Sequence, residues 1–145
     1  MGLHALSIRP FQPADRQALE RLWARVFPDD PPWNAPAVMI EKKLEVQPEL
    51  LLVGTVAEEL VGAMMAGFDG VRGWLYHLAV APEWRRRGFA TQLVRAAEAT
   101  LRRLGCPKVN LQVRAANDDV VTFYRSVGYE VEARVSMGRR LEEAG

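Results

Sequence analysis

A single cysteine, Cys106, is all that the chain contains. It excludes an internal disulfide and points to a reducing compartment. No apolar stretch approaches a membrane span, and none near the N-terminus is long enough for export, so the cytoplasm is the expected location, with no membrane partner. An excess of one charge is also missing. Lys and Arg number 19 against 18 Asp and Glu, a formal net charge of +1, whereas a nucleic-acid-binding surface asks for a strong basic excess. Lysine is scarce, and the basic charge is mostly arginine. There is no repeat, low-complexity tract or linker, so residues 1–145 are expected to form a single domain large enough for a proper core. The 49% hydrophobic and 26% charged content is that of an ordinary globular protein.

What is present is concentrated in residues 74 to 91. An aromatic and β-branched run, Trp74 to Val80, is interrupted only by His77 and suits a buried strand. Pro82 stops regular pairing. After the basic loop Arg85-Arg86-Arg87 and Gly88, the residues Phe89, Ala90, Leu93, Val94, Ala97, Leu101 and Leu104 recur at helical spacing. Strand, basic turn and helix N-terminus make an anion-binding arrangement, because the first helix amides lack internal partners and sit at the positive end of the dipole. Gly88 admits a ligand close to the backbone, and Ala90 keeps the first turn uncrowded. The stretch reads as a diphosphate cradle; the bland alternative is a solvated basic turn.

Taken in order, Leu6 to Arg9 reads as a first strand closed by Pro10. A helix begins near Pro13 and Asp15, carries the stripe Leu19, Leu22, Trp23 and Val26, and stops at Pro28. Phe27 to Pro36 is irregular, with Trp33 placed either at a binding rim or in the core. Asn34 is the expected cap of a second helix reaching about Gln47. Leu50–Val56 and Leu60–Phe68 form a hairpin through Ala57-Glu58-Glu59, and Gly62 and Gly67 suggest a bulge or a close backbone approach. After the long helix, Gly105 fits a left-handed cap before Pro107. Lys108 to Arg114 alternates as a strand. A last helix starts at Asn117 with the inner stripe Val120, Phe123, Tyr124 and Val127, and Gly128 ends it. Tyr129 to Leu141 is β-rich and is expected to supply one long strand or a bent pair.

The motif Arg85-x-x-Gly88-x-Ala90, directly after Leu78-Ala79-Val80-x-Pro82, resembles the acetyl-CoA signature of the GNAT N-acetyltransferase superfamily. Asn117-x-x-Val120-x-x-Phe123-Tyr124-x-x-x-Gly128-Tyr129 resembles that family's second motif at the right separation. The turn Asp69-Gly70-x-Arg72-Gly73 and Pro32-Trp33-Asn34 are also similar to a small bacterial YpeA-type branch. The resemblance implies an α/β fold with a GNAT-like mixed sheet, an antiparallel N-terminal meander, splayed central strands and flanking helices. It implies acetyl-CoA as acyl donor, an amine acceptor, no metal, and is compatible with a homodimer.

By the same resemblance, the pantetheine arm lies beside Leu78, Ala79 and Val80, with an amide near Val80 for the oxyanion. The diphosphate rests on Arg85 to Thr91, through Arg86, Arg87, Gly88 and Ala90. Asn117 contacts the cofactor arm, and Tyr124 protonates the departing thiolate. A phenol near pKa 10 stays protonated at neutral pH and is suited to that role. The acceptor site is expected around Trp33, Asn34, Asp69, Arg72 and Trp74.

The general base is harder to place. An alkylamine of pKa about 10.4 is neutral roughly once in 10³ at pH 7, so removing its proton matters. Related enzymes use Glu or His on the fourth strand, or Glu on the fifth. Here the matching positions are Trp74, Tyr76 and Gln112. Strict alternation turns His77 away from Tyr76 and into the core. Glu83 and Asp69 are loop carboxylates near the expected site, and a water chain to one of them is the favoured route. Two other readings remain: a non-catalytic acyl-CoA sensor on the same fold, and, disfavoured by charge, a nucleic-acid module.

Overall fold

The computed structural model describes residues 5–142. They divide into two compact units, 1–111 and 112–145. In the first, strands β1 (Ser7–Pro10), β2 (Leu51–Val56), β3 (Glu59–Phe68), β4 (Gly73–Val80) and β5 (Val109–Leu111) form one sheet in chain order. The first three pairings are antiparallel and β4 pairs β5 in parallel. Helices α1 (Arg16–Val26) and α2 (Pro36–Glu45) cover one face and α3 (Phe89–Arg103) covers the other. The expected mixed sheet is therefore present, meander first and parallel strand last.

The core follows the apolar stripes. Leu19, Leu22 and Trp23 of α1 and Ile40 of α2 pack on Leu51, Ala63, Met65 and Ala79, while Leu93, Val94, Ala97 and Leu101 of α3 are buried. Gly62 is glycine for a packing reason: a Cβ there would come within 3.0 Å of a Leu93 methyl and 3.2 Å of the Ala79 carbonyl. The expected close approach is thus met at Gly62. Helix α3 ends as the glycine predicted, with Gly105 at φ +87 and Cys106 N–H donating to the Leu101 carbonyl.

Several expectations are corrected. Asn34 does not cap α2. It lies in a single 3-10 turn, Pro32–Asn34, and Ala35 occupies the cap position, because Pro36 opens the helix with a preset φ. Helix α2 ends at Glu45, and Gln47 turns left-handed (φ 54); its side-chain amide bonds both the N–H and the carbonyl of Phe68, at 3.0 and 2.8 Å. β5 stops at Leu111 instead of running to Arg114.

In the second unit, α4 (Asp118–Ser126) is capped by Asn117, whose side-chain oxygen accepts from Val120 N–H, and Gly128 (φ +103) ends the turn that follows. No strand forms over residues 129–142. Val131, Val135, Met137 and Leu141 are exposed there, and a β-favouring pattern makes no strand without a neighbour to pair with. Among the described residues, no helix is long and apolar enough to cross a membrane, and no cluster of His, Cys, Asp or Glu could hold a metal ion.

The β2–β3 connection is a two-residue turn in which Ala57 (φ 48) and Glu58 (φ 70) both adopt the left-handed region. Non-glycine residues are costly there. Ala57→Asn combined with Glu58→Gly is expected to raise the unfolding free energy by about 1 kcal/mol, the relief of strain exceeding the added freedom of the unfolded chain. Urea denaturation of the double variant measures it.

Candidate active site

The site begins with an irregularity in β4. Ala63 pairs with Ala79, but Met65 pairs with Tyr76, so three steps along β4 match two along β3. The extra residue is a β-bulge, and His77 takes φ +48 at it. The bulge reverses the alternation. Tyr76 and His77 both lie on the α1/α2 side, which corrects the expectation that they face apart. His77 is held there: Trp23 Nε1 donates to its carbonyl at 3.2 Å, and its Nε2 is 2.9 Å from Asp30 Oδ2. A carboxylate only accepts, so Nε2 is the protonated nitrogen. The ring meets Trp23 and Phe27 edge-on, at 5.4 and 4.7 Å. Burial pushes its pKa below the usual value, with Asp30 pulling the other way. His77 is a satisfied structural residue that fixes the bulge.

Beyond the bulge, β4 has an edge that β5 does not pair with. β5 pairs only with Gly73, Trp74 and Leu75, so it does not reach Leu78, Ala79 or Val80. Ala81 N–H donates across to Val61 on β3. By strand alternation the main-chain groups of Leu78 and Val80 therefore face the other edge. The Val80 carbonyl accepts Arg85 Nε at 3.0 Å. This is the expected splay.

The cradle follows directly. A 3-10 turn, Pro82–Trp84, leads to Arg85, Arg86 (φ 64), Arg87 and Gly88 (φ +78). The Arg87 guanidinium lies 4.7 Å over the Trp84 ring, which stacks on Phe89 at 6.1 Å. The first helical bond is Gln92 N–H to Gly88 carbonyl, which leaves the amides of Phe89, Ala90 and Thr91 without intrahelical partners. A Cβ at Gly88 would meet nothing within 4 Å, so there is open space beside Gly88 at the helix entrance. A diphosphate fits this donor set, with the N-terminal dipole and three arginines supplying positive charge.

On the α2 side, a cavity of about 450 Å³ opens against the sheet. Met39, Lys42, Lys43 and Val46 form one wall, and Met65, Gly67, Asp69, Trp74 and Tyr76 line the rest. Of the residues expected to form the acceptor site, Asp69 and Trp74 are in this lining. Trp33, Asn34 and Arg72 are not; Trp33 is exposed on its turn, and the Arg72 guanidinium returns to the Val71 carbonyl. Amides of Val71 and Arg72 both donate to Asp69 Oδ1, and these backbone bonds hold its carboxyl below the usual range. Burial first, and Asp69 second, raise the Tyr76 phenol, so Tyr76 is a hydrogen-bonding group rather than a base. Glu83 lies outside the cavity lining, paired with Arg25 at 2.8 Å, which lowers its carboxyl further.

The residue that sequence reasoning missed is Lys43. It is 9% exposed on the inward side of α2, and burial lowers its pKa, with Glu49 acting in the opposite sense. Its spacing of three from buried Ile40 was a legible signal.

In the second unit, Tyr124 is buried, its ring edge-on to Phe123 (5.0 Å) and Tyr129 (5.5 Å). Burial pushes the phenol up to about 12. Asn117 spends its side-chain oxygen on the α4 cap, and Gln112 Nε2 donates to Ser136 Oγ.

A family model described as the acetyltransferase (GNAT) family matches residues 16–129. An acetyltransferase of Yersinia enterocolitica is 42% identical over 136 residues, covering 94% of this chain and 96% of its own. One from Sodalis glossinidius is 43% identical over 139 residues, covering 95% and 97%. Among solved structures, Ard1 from Thermoplasma volcanium superposes with a TM-score of 0.79 at 27% identity, over 89% of this chain and 85% of that one. An aminoglycoside N-acetyltransferase in complex with CoA gives 0.78 at 19% identity, over 95% and 96%; at that identity it shows the fold.

The Tyr124 phenol gives a pH prediction. A folded pKa of about 12 against about 10 unfolded means that the unfolded chain loses this proton first. Stability is then lost as pH rises from about 10 to 12, by roughly 2–3 kcal/mol in all. Absorbance titration is expected to show one phenol step near 12, absent in Tyr124→Phe.

Proposed function

The chain belongs to the GNAT acetyltransferase family and is an acetyl-CoA-dependent N-acetyltransferase; from that premise we propose how its residues divide the work. The observation that carries the reading is a β4 edge left unpaired by β5 that runs into helix amides without intrahelical partners after Gly88. The Val80 amide would accept the thioester oxygen, as a preorganised donor for the tetrahedral oxyanion. The amides of Gly88, Ala90 and Thr91 would hold the diphosphate, with Arg86 and Arg87 beside them. Arg85 has a second duty, since it closes the strand end by binding the Val80 carbonyl. The family match across residues 16–129 spans both compact units, and supports reading the chain as one domain.

The acceptor amine would occupy the cavity under α2. Its nitrogen attacks the thioester carbon, the C–N bond forms, the C–S bond breaks, and one amine proton must leave. We assign that proton to a water relay past Tyr76 to Asp69, because both line the cavity and Glu83 does not. Tyr124 is assigned as the acid for the departing thiolate by its place in the second motif. Burial pushes its phenol up to about 12, which keeps it protonated at neutral pH and makes it a weaker donor than an exposed phenol. The sensor alternative rests on the lack of an obvious base, and the match to the acetyltransferase family and to relatives named acetyltransferase favours the catalytic reading.

Gly88→Val tests the cradle. A β-branched residue at φ +78 is strained, so the variant should lose about 1–2 kcal/mol of stability. Its side chain also fills the ligand's space, so acetyl-CoA should no longer raise its Tm. A Tm rise equal to that of the wild type would place the diphosphate elsewhere.

Tyr124→Phe tests the acid. It keeps the buried ring and removes one proton. Turnover, read as free thiol release, should fall about 10²–10⁴-fold, with acetyl-CoA affinity nearly unchanged. Undiminished turnover would show that water protonates the thiolate.

A further inference from the structure

We infer that the acceptor is a small amine that also bears a carboxylate, an amino acid or a close analogue, and that Lys43 is the residue that selects it. The inference rests on the acceptor reading of the α2 cavity given above. It starts from a charge that the protein leaves unmatched. Lys43 is 9% exposed, and its Nζ lies 3.9 Å from where a Cβ on Gly67 would stand, on the cavity wall. No ion pair or hydrogen bond joins it to any described residue; Glu49 acts on it only at longer range. The aliphatic stem of Lys43 is buried while the ammonium reaches the cavity wall, and a ligand carboxylate in the cavity is a group that would pair with it.

The cavity also carries the opposite sign, since Asp69 lines it together with Lys42 and Lys43. The Asp69 carboxylate is fixed by the amides of Val71 and Arg72, which favours its ionised form and makes it a seat for an ammonium or for the amine it becomes. Met39, Met65 and Trp74 supply apolar surface in the same lining. A lining that holds an ammonium, a carboxylate and apolar surface matches a compact zwitterion. A polyamine or an aminoglycoside has no carboxylate to offer Lys43, and its further positive charges would face that ammonium. A volume of about 450 Å³ is in the range of small-molecule sites and has room for a single amino acid.

The test uses matched pairs that differ only in the carboxylate, phenylalanine against phenethylamine and ornithine against putrescine, with the full chain and acetyl-CoA. Wild type is expected to favour the carboxylate member by about tenfold or more in kcat/KM. Lys43→Met should remove the preference, and Lys43→Arg should restore most of it. Calorimetric binding of N-acetylphenylalanine against its carboxamide reads the same discrimination without turnover, and it applies to the wild type even if a variant fails to fold. Equal binding of the two, or none, overturns the inference, as does faster turnover of phenethylamine or putrescine. The acetyl-CoA-induced rise in Tm is followed in parallel. If it persists while the carboxylate preference is missing, only the acceptor assignment is wrong. If it is absent as well, the cofactor reading fails with it.

Discussion

A strand can offer its main chain to a ligand only where its neighbour stops short of it. In this protein that condition is met by three residues: β5 pairs with Gly73 to Leu75 and goes no further. The cofactor reading proposed for the first unit depends on the stretch of β4 that lies beyond. Had β5 continued along Leu78 to Val80, their outward amides and carbonyls would belong to the sheet ladder, and the strand would end as ordinary core. Because it does not, the strand presents hydrogen-bonding groups on one edge and delivers the chain to the N-terminus of α3 within a few residues.

The bulge at His77 is the second half of the same device. A left-handed φ at a histidine is stored strain, worth of the order of 1–3 kcal/mol, and persists only where the surroundings fix it. Here Trp23, Phe27 and Asp30 do so from the α1 side, through an indole bond to the carbonyl, a carboxylate on the ring and edge-on aromatic contacts. The consequence is a change of phase along β4. Tyr76 and Trp74 line the cavity under α2, while His77 and Ala79 pack against α1 on the same face. One strand thus lines a cavity with its surface and, further along, has an edge that β5 does not pair with.

Charge is distributed in the same economical way. Of the three loop arginines, Arg85 closes the strand end, Arg87 lies on Trp84, and Arg86 extends outward at a left-handed φ. The net charge near zero therefore hides a local concentration of positive charge beside helix amides. On the opposite side of the site, the neutral balance hides an ammonium, that of Lys43, with no carboxylate bound to it.

The sequence by itself determined the parts that depend on local chemistry. Periodicity marked α1, α3 and the three antiparallel strands; glycine at 105 and 128 marked the left-handed helix ends; proline and glycine around the arginines marked the cradle, since turn and cap geometry are written in residue types. Tertiary structure alone decided what depends on a neighbour. Whether Lys108 to Arg114 pairs in full, or Tyr129 to Leu141 at all, is set by a partner strand and not by β propensity. The bulge left no mark, because His77 is an ordinary residue held at an unusual φ by side chains 47 and 54 positions away. Lys43 stood at a legible helical spacing, yet only packing against β3 shows that it is buried and bare of a counter-ion, because burial is a property of the surroundings and not of the residue.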